Sequence, residues 1–243
     1  RNNNFNYLNY KNMINKFIDA GYSFEFFSNA EKNLRENKPF ILLRHDVDMS
    51  IEKALKIAEI EKNLCVKSTF FFLIRNDFYN IFSKKATNMI NTIKSYGHEI
   101  GLHFDTDAYE NLDINKINIE CNKEALILGN WFNIKVKTIS FHRPNNFILS
   151  GDPALTYPLI HSYMHLFSSK IKYMSDSKGI WNNGDPLDSD SYKNKKPMQI
   201  LTHPIWWNEK SNDTYQNLLE FIDFENKKSE INLSNNCKTF RFG

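Results

Sequence analysis

Three features of this 243-residue chain predict an α/β fold built on parallel strands. Short apolar runs alternate with segments of helical period, the order in which helical crossovers pair strands in parallel. The runs are short and nearly uninterrupted, as in "FILLRHD" and "STFFFLI", which is how buried strands read. Polar residues of metal-ligand type then gather at the ends of four runs, "RHDVD", "GLHFD", "SFHRP" and "LTHP". That edge is where parallel sheets and barrels build their sites.

The first strand is "PFILLRHD" (39–46), entered through a proline. "SIEKALKIAEIEKN" follows as a helix, with Ser50 as N-cap and Ile51, Leu55 and Ala58 on one face. "STFFFLI" (68–74) is the second strand. "ATNMINTIKSYG" places Met89, Ile90 and Ile93 at helical spacing, and Gly97 stops it. "HEIGLHF" (98–104) is the third strand, a helix covers about 113–130, and "VKTISFHR" (136–143) is the fourth. "KYMSDS" (172–177) and "MQILTHP" (198–204) read as later strands, and "DTYQNLLEFIDF" as a closing helix. The polar stretch 177–197 reads as a loop on the side of the site. "HSYMH" (161–165) reads as a half-buried helix among apolar neighbours; it lacks the nearby acid of a zinc helix.

A chain of this length supports a substantial core, so residues 1–243 are expected to form a single domain. The composition is that of an ordinary globular protein, with 41% hydrophobic and 24% charged residues and mean hydropathy −0.53. The net charge of +3 is spread out, which argues against a nucleic-acid groove, and no run is long enough for a membrane span. Cys65, Cys121 and Cys237 lie far apart without a CxxC, so they are expected to be buried apolar residues and not a disulfide framework. The opening "RNNNFNYLNYKNMINKF" has no apolar signal core, which points to a cytoplasmic protein.

Asp46 and Asp48 are two apart, so on an extended chain they point the same way. Two carboxylates there repel unless a cation sits between them or one is protonated. The pair therefore reads as a metal ligand plus a general base, unless Asp48 only caps the next helix. His103 is a competent metal ligand, and Asp107 shares its face if the chain turns helically after the strand. Asp105 is a further candidate. Arg143 can orient a carboxylate through a bidentate contact, and His142 is either a ligand or a packed neighbour. His203 at a strand end suits a general acid. Trp206 and Trp207 offer sugar platforms or core packing. His98 stands at the entry to its strand, away from the C-terminal edge, and is expected to face away from the site.

These segments, in this order over about residues 39–204, resemble the polysaccharide deacetylase family of carbohydrate esterases. "HDVD" looks like a variant of the family's first motif, which implies Asp46 as base and Asp48 as metal ligand. "GHEIGLHFD" resembles the second motif, implying His103 as ligand; the family's second histidine falls on Asp107. Arg143 with Pro144, and Leu201 with His203, match later motifs, while Asp176 and Trp181 weakly resemble the intervening Asp/Trp motif.

The resemblance implies a distorted (β/α) barrel with about seven strands and a metal-dependent removal of an N-acyl group from an amino sugar. One divalent ion, zinc by preference, is expected on Asp48 and His103. Carried-over spacing favours Asp107 as third ligand, and zinc donor chemistry favours His142. Asp46, oriented by Arg143, is the expected base and His203 the expected acid. Leu201 would line an acyl pocket, and Trp181, Trp206 and Trp207 the sugar. The expected partner is an N-acylated amino sugar, free or linked to nucleotide or lipid, in surface glycan synthesis. Two alternatives remain: an amidohydrolase for a small non-sugar amide, and a metal-free barrel that binds a glycan or a partner protein.

Overall fold

The computed structural model describes residues 5–152, 154–210 and 213–240. The chain opens with α1 (Tyr7–Asp19), whose buried residues Tyr10, Met13, Ile14 and Phe17 recur at helical spacing. A two-residue strand β1 (Ser23–Phe24) and a short α2 (Ala30–Arg35) lead to β2 (Phe40–Val47). Regular units follow: α3 (Ile51–Asn63), β3 (Thr69–Leu73), α4 (Lys84–Ser95), β4 (Glu99–Asp105), α5 (Ile114–Phe132) and β5 (Thr138–His142). Beyond them the elements shorten: α6 (Asn146–Leu149), β6 (Ile160–His161), α7 (His165–Lys170), β7 (Lys172–Ser175), α8 (Asp190–Lys193) and β8 (Met198–Thr202). The long α9 (Thr214–Asn236) closes the chain, twelve residues past the predicted end of that helix.

All the strands pair in parallel, in the order β6-β5-β4-β3-β2-β8-β7, with β1 beside the start of β2. Seven strands thus curve through the main path, and among the described residues β6 and β7 remain unpaired with each other. This is the predicted α/β distorted barrel with about seven strands, left open between its last two staves.

Strand alternation sorts the side chains onto two faces. Ile41, Leu43 and Val47 of β2, with Phe70, Phe72, Ile100, Leu102, Phe104, Ile139 and Phe141, pack into the main apolar cluster with the helices. Phe40, Leu42 and Phe71 face the lumen, where Phe27, Phe167 and Ile171 fill its base. Above that plug the lumen turns polar, through Arg44 and Ser140 to Asp46 and His103, all buried. Gly101 is required at this level: a Cβ there would meet the Phe71 ring at 2.5 Å and the Thr138 carbonyl at 3.0 Å.

The helix starts follow their cap residues. The Ser50 hydroxyl accepts from the Lys53 amide at 3.2 Å, so Ser50 and not Asp48 caps α3. Gly97 takes φ +91 after α4, as its stop position predicts.

Two expectations are corrected. "HSYMH" is not one helix: His161 ends β6 and His165 opens α7, so the two imidazoles do not share a helical face. His161 is buried, and its Nε2 lies 2.7 Å from the Asp152 carbonyl. Of the cysteines only Cys121 is buried. Cys65 occupies a left-handed turn position (φ +56) just after α3, and Cys237 the cap of α9, so neither faces a core. Among the described residues, no helix is long and apolar enough to cross a membrane.

Candidate active site

The site forms at the C-terminal edge of the sheet, where β2, β4, β5, β7 and β8 each deliver a side chain. Asp48 follows β2, His103 lies near the end of β4, and His142 ends β5. Their ligand atoms all lie within 4.8 Å of one another. His103 Nε2 is 3.1 Å and His142 Nδ1 3.4 Å from the same oxygen, Asp48 Oδ1. The two imidazoles pack edge-on, with ring centroids 5.2 Å apart. Burial opposes ionisation of Asp48, but hydrogen bonds from His103 and His142 and the nearby His203 hold its carboxyl well below the usual range. One carboxylate and two imidazoles aimed at one point are a donor set that fits zinc or a similar divalent ion.

Asp46 is buried beside this group, its Oδ2 3.8 Å from His103 Nε2. The guanidinium that holds it belongs to Arg44, two residues earlier on the same lumen face. Arg44 Nη2 donates to Asp46 Oδ2 at 3.0 Å, and the Ser140 hydroxyl donates to the same oxygen at 3.1 Å. Arg44 is fully buried, and it also donates to Ser162 Oγ and, at 3.3 Å, to the Tyr163 hydroxyl. Asp46 Oδ1 has no hydrogen-bond partner among the described residues.

Removing one member of a buried ion pair leaves the other uncompensated. Arg44→Leu is therefore expected to cost about 3–5 kcal/mol of stability. Adding Asp46→Asn to that variant should recover a large part, and urea unfolding of the two variants checks both results.

Arg143 lies elsewhere. It sits just past β5 at φ +54, and this left-handed turn sends its side chain over β4. There it pairs with Asp105 at 2.6 Å and Asp107 at 3.1 Å, with 54% of the side chain exposed. No contact joins it to Asp46 among the described residues. The contact with Asp46 expected of Arg143 is made by Arg44. Asp107 is likewise drawn away, its side chain 59% exposed. Strand β4 runs to Asp105, and only one tight turn follows (Thr106–Ala108), opened by the Asp105 carboxylate accepting from the Asp107 amide. Without an α-helical turn, His103 and Asp107 do not share a face.

His203 follows β8, its Nε2 3.9 Å from Asp48 Oδ2. Asp176, after β7, holds it twice: Asp176 Oδ1 accepts from His203 Nδ1 at 2.7 Å and from its backbone amide at 2.9 Å. The Trp207 indole donates to Asp176 Oδ2 at 2.9 Å. Burial disfavours the imidazolium, but Asp176, with Asp48 and Asp46 nearby, outweighs it and lifts the His203 pKa to about 9.

A histidine raised from 6.5 to about 9 on folding adds stability that is complete below 6.5 and lost as pH rises through about 9. Asp176→Asn is therefore expected to return the His203 titration of the metal-free protein towards 6.5. It should also flatten the fall in stability across that window, with NMR titration and urea unfolding as the two readouts.

The remaining expected residues divide. Leu201 is buried on the lumen face of β8, two residues below His203. Trp207 is only 2% exposed, packed edge-on against Phe5 and Tyr10 at 4.9 Å each. It buttresses Asp176 and presents no free face to a sugar, which corrects its expected platform role. Trp206 is half-buried, and its ring stands 3.4 Å from where a Cβ on Gly179 would project. Trp181 lines a groove of about 1030 Å³ between α1 and the 180–188 loop, and no candidate ligand, base or acid lines it.

No family model and no curated protein matches the chain. Solved structures do. The deacetylase PplD of Streptococcus pyogenes, in complex with acetate, is 16% identical with a TM-score of 0.48 over 87% of this chain and 84% of its own. A family 4 carbohydrate esterase from Bacillus anthracis is 18% identical, with a TM-score of 0.43 over 82% of this chain and 86% of its own. A CE4 family pseudoenzyme from Bacillus anthracis is 17% identical, with a TM-score of 0.41 over 79% of this chain; the chain spans 62% of that protein's length.

Proposed function

We propose that the chain is a divalent-metal hydrolase that removes an N-acetyl or N-formyl group from an amino sugar, free or within a nucleotide- or lipid-linked precursor. The convergence of Asp48, His103 and His142 within 4.8 Å, with Asp46 and His203 beside them, carries this reading. The sugar is the substrate class that the motif resemblance implies.

Amide hydrolysis needs an activated water, a polarised carbonyl and a protonated leaving nitrogen. Asp48, His103 and His142 would hold a divalent ion, which when bound would supply the polarisation of the carbonyl and the acidification of the attacking water. Asp46 accepts the water proton on Oδ1, since Arg44 and Ser140 already occupy Oδ2. Water oxygen bonds to the acyl carbon, and the C–N bond breaks. His203 hands a proton from Nε2 to the departing nitrogen, because its Nδ1 is committed to Asp176. The products are a carboxylic acid and a free amine. Buried Leu201, below His203, supplies an apolar wall for the acyl group.

The test is an amine-release assay with zinc over N-acetyl and N-formyl amino sugars and their oligomers. Release that stops on chelation and returns with zinc is expected. No release over the panel, or release indifferent to chelation, refutes the reading.

A further inference from the structure

Behind β2, on the helix side of the sheet, a second cluster of buried ionisable groups touches neither the candidate metal ligands nor the lumen. Glu61 of α3 is fully buried at its centre. Its Oε1 lies 2.9 Å from His45 Nε2 and also accepts from the Tyr10 hydroxyl. Its Oε2 accepts from the Ser68 hydroxyl at 2.6 Å, with His98 Nδ1 at 3.5 Å. His98 itself accepts from the Ser68 amide at 3.3 Å and reaches the Ala58 carbonyl through Nε2 at 3.3 Å. A buried carboxylate carrying this many partners is a costly arrangement, retained only where its geometry is used or is fully compensated.

Its place in the ladder shows where the geometry is used. His45 Nδ1 lies 2.7 Å from Thr202 Oγ1. His45 and Thr202 are register partners and the last pair of the β2–β8 ladder. The next residue in the chain after each is the proposed base, Asp46, still within β2, and the proposed acid, His203, just past β8. The side-chain bridge therefore ties the two strands one residue before each reacting group. A second route runs from the same carboxylate: Tyr10 packs on Trp207 at 4.9 Å, and Trp207 donates to the Asp176 that holds His203.

We infer that His45 and Glu61 are positioning residues that set Asp46 and His203 relative to one another from behind the sheet, through the hydroxyl of Thr202. The inference rests on the hydrolase reading for the roles of Asp46 and His203. The clamp itself rests on the ladder geometry. Neither His45 nor Glu61 touches the reacting atoms. Misplacement of a reacting group by an ångström costs on the order of 100-fold in rate, so a loosened clamp acts on kcat and spares ground-state binding.

Thr202→Val removes the hydroxyl and keeps the shape, while Thr202→Ser keeps the hydroxyl. With zinc present and N-acetyl chito-oligosaccharides as the probe, Thr202→Val should lower kcat by about 10- to 100-fold. KM and zinc content should stay within about twofold of the parent, and Thr202→Ser should restore kcat. In parallel, amide exchange at Asp46 and His203 should quicken by about tenfold in Thr202→Val while Leu43 and Ile200, deeper in the same strands, keep their parent rates.

Parent-like exchange at Asp46 and His203, uniform acceleration along both strands, or an unchanged kcat would each overturn the inference. If the unmodified protein releases no amine from any probe, the hydrolase reading falls, and the exchange comparison decides the clamp by itself.

Discussion

Asp46→Asn is expected to reduce amide hydrolysis by about 10²- to 10⁴-fold, the range a general base contributes, while zinc content stays near that of the unmodified protein. The two halves of this result separate the two aspartates. Asparagine keeps the size and one carbonyl oxygen, so the contacts of Arg44 and Ser140 at Oδ2 retain an acceptor. What disappears is the basic Oδ1, the carboxylate atom without a partner among the described residues. The proposed metal ligands Asp48, His103 and His142 are untouched. Activity equal to that of the unmodified protein would remove Asp46 as base. Loss of zinc together with activity would make it a ligand and reassign the pair.

The second large effect concerns the third ligand. His142→Ala should weaken zinc binding by more than the roughly 100-fold that loss of an outer-shell partner costs, because it removes one of three donors. Asp107→Ala should leave zinc affinity unchanged and cost at most about 1 kcal/mol of stability, since it removes an exposed ion pair with Arg143. Equilibrium competition with a chromophoric chelator reads both variants. The opposite ranking would return the site to the motif spacing and exclude His142.

Most of the barrel was legible in the sequence because buried parallel strands announce themselves as apolar runs, and β2, β3, β4, β5 and β8 all lie where such runs stand. The missing pieces lacked that signal. Strand β6 is two residues long and carries a histidine, so "HSYMH" offered helical spacing where the chain in fact changes element. Helix α1 does carry a readable stripe in Tyr10, Met13, Ile14 and Phe17, but its asparagine-rich background hides it.

The site was legible as a set of strand ends and less so as a set of pairings. Asp46, Asp48, His103, His142 and His203 converge because the strand alternation that orders "RHDVD" and "SFHRP" is local. Which arginine meets Asp46 is not local. Arg44 shares the parity of Asp46 and Asp48, and a charge inside an apolar strand demands a buried partner, so a signal for it existed. Arg143 is carried away by a left-handed turn that one sequence does not reveal. Asp107 depends in the same way on the kind of turn after β4. Trp207 is explained by Asp176, a neighbour 31 positions distant in the chain.

The most direct measurement is an anomalous difference map at the zinc edge, from crystals of the full chain grown with zinc. One strong peak is expected within about 2.0–2.2 Å of an Asp48 oxygen and of one ring nitrogen each of His103 and His142. A strong peak instead between Asp105 and Asp107, or no peak at the Asp48 carboxylate at full zinc loading, would contradict this ligand set.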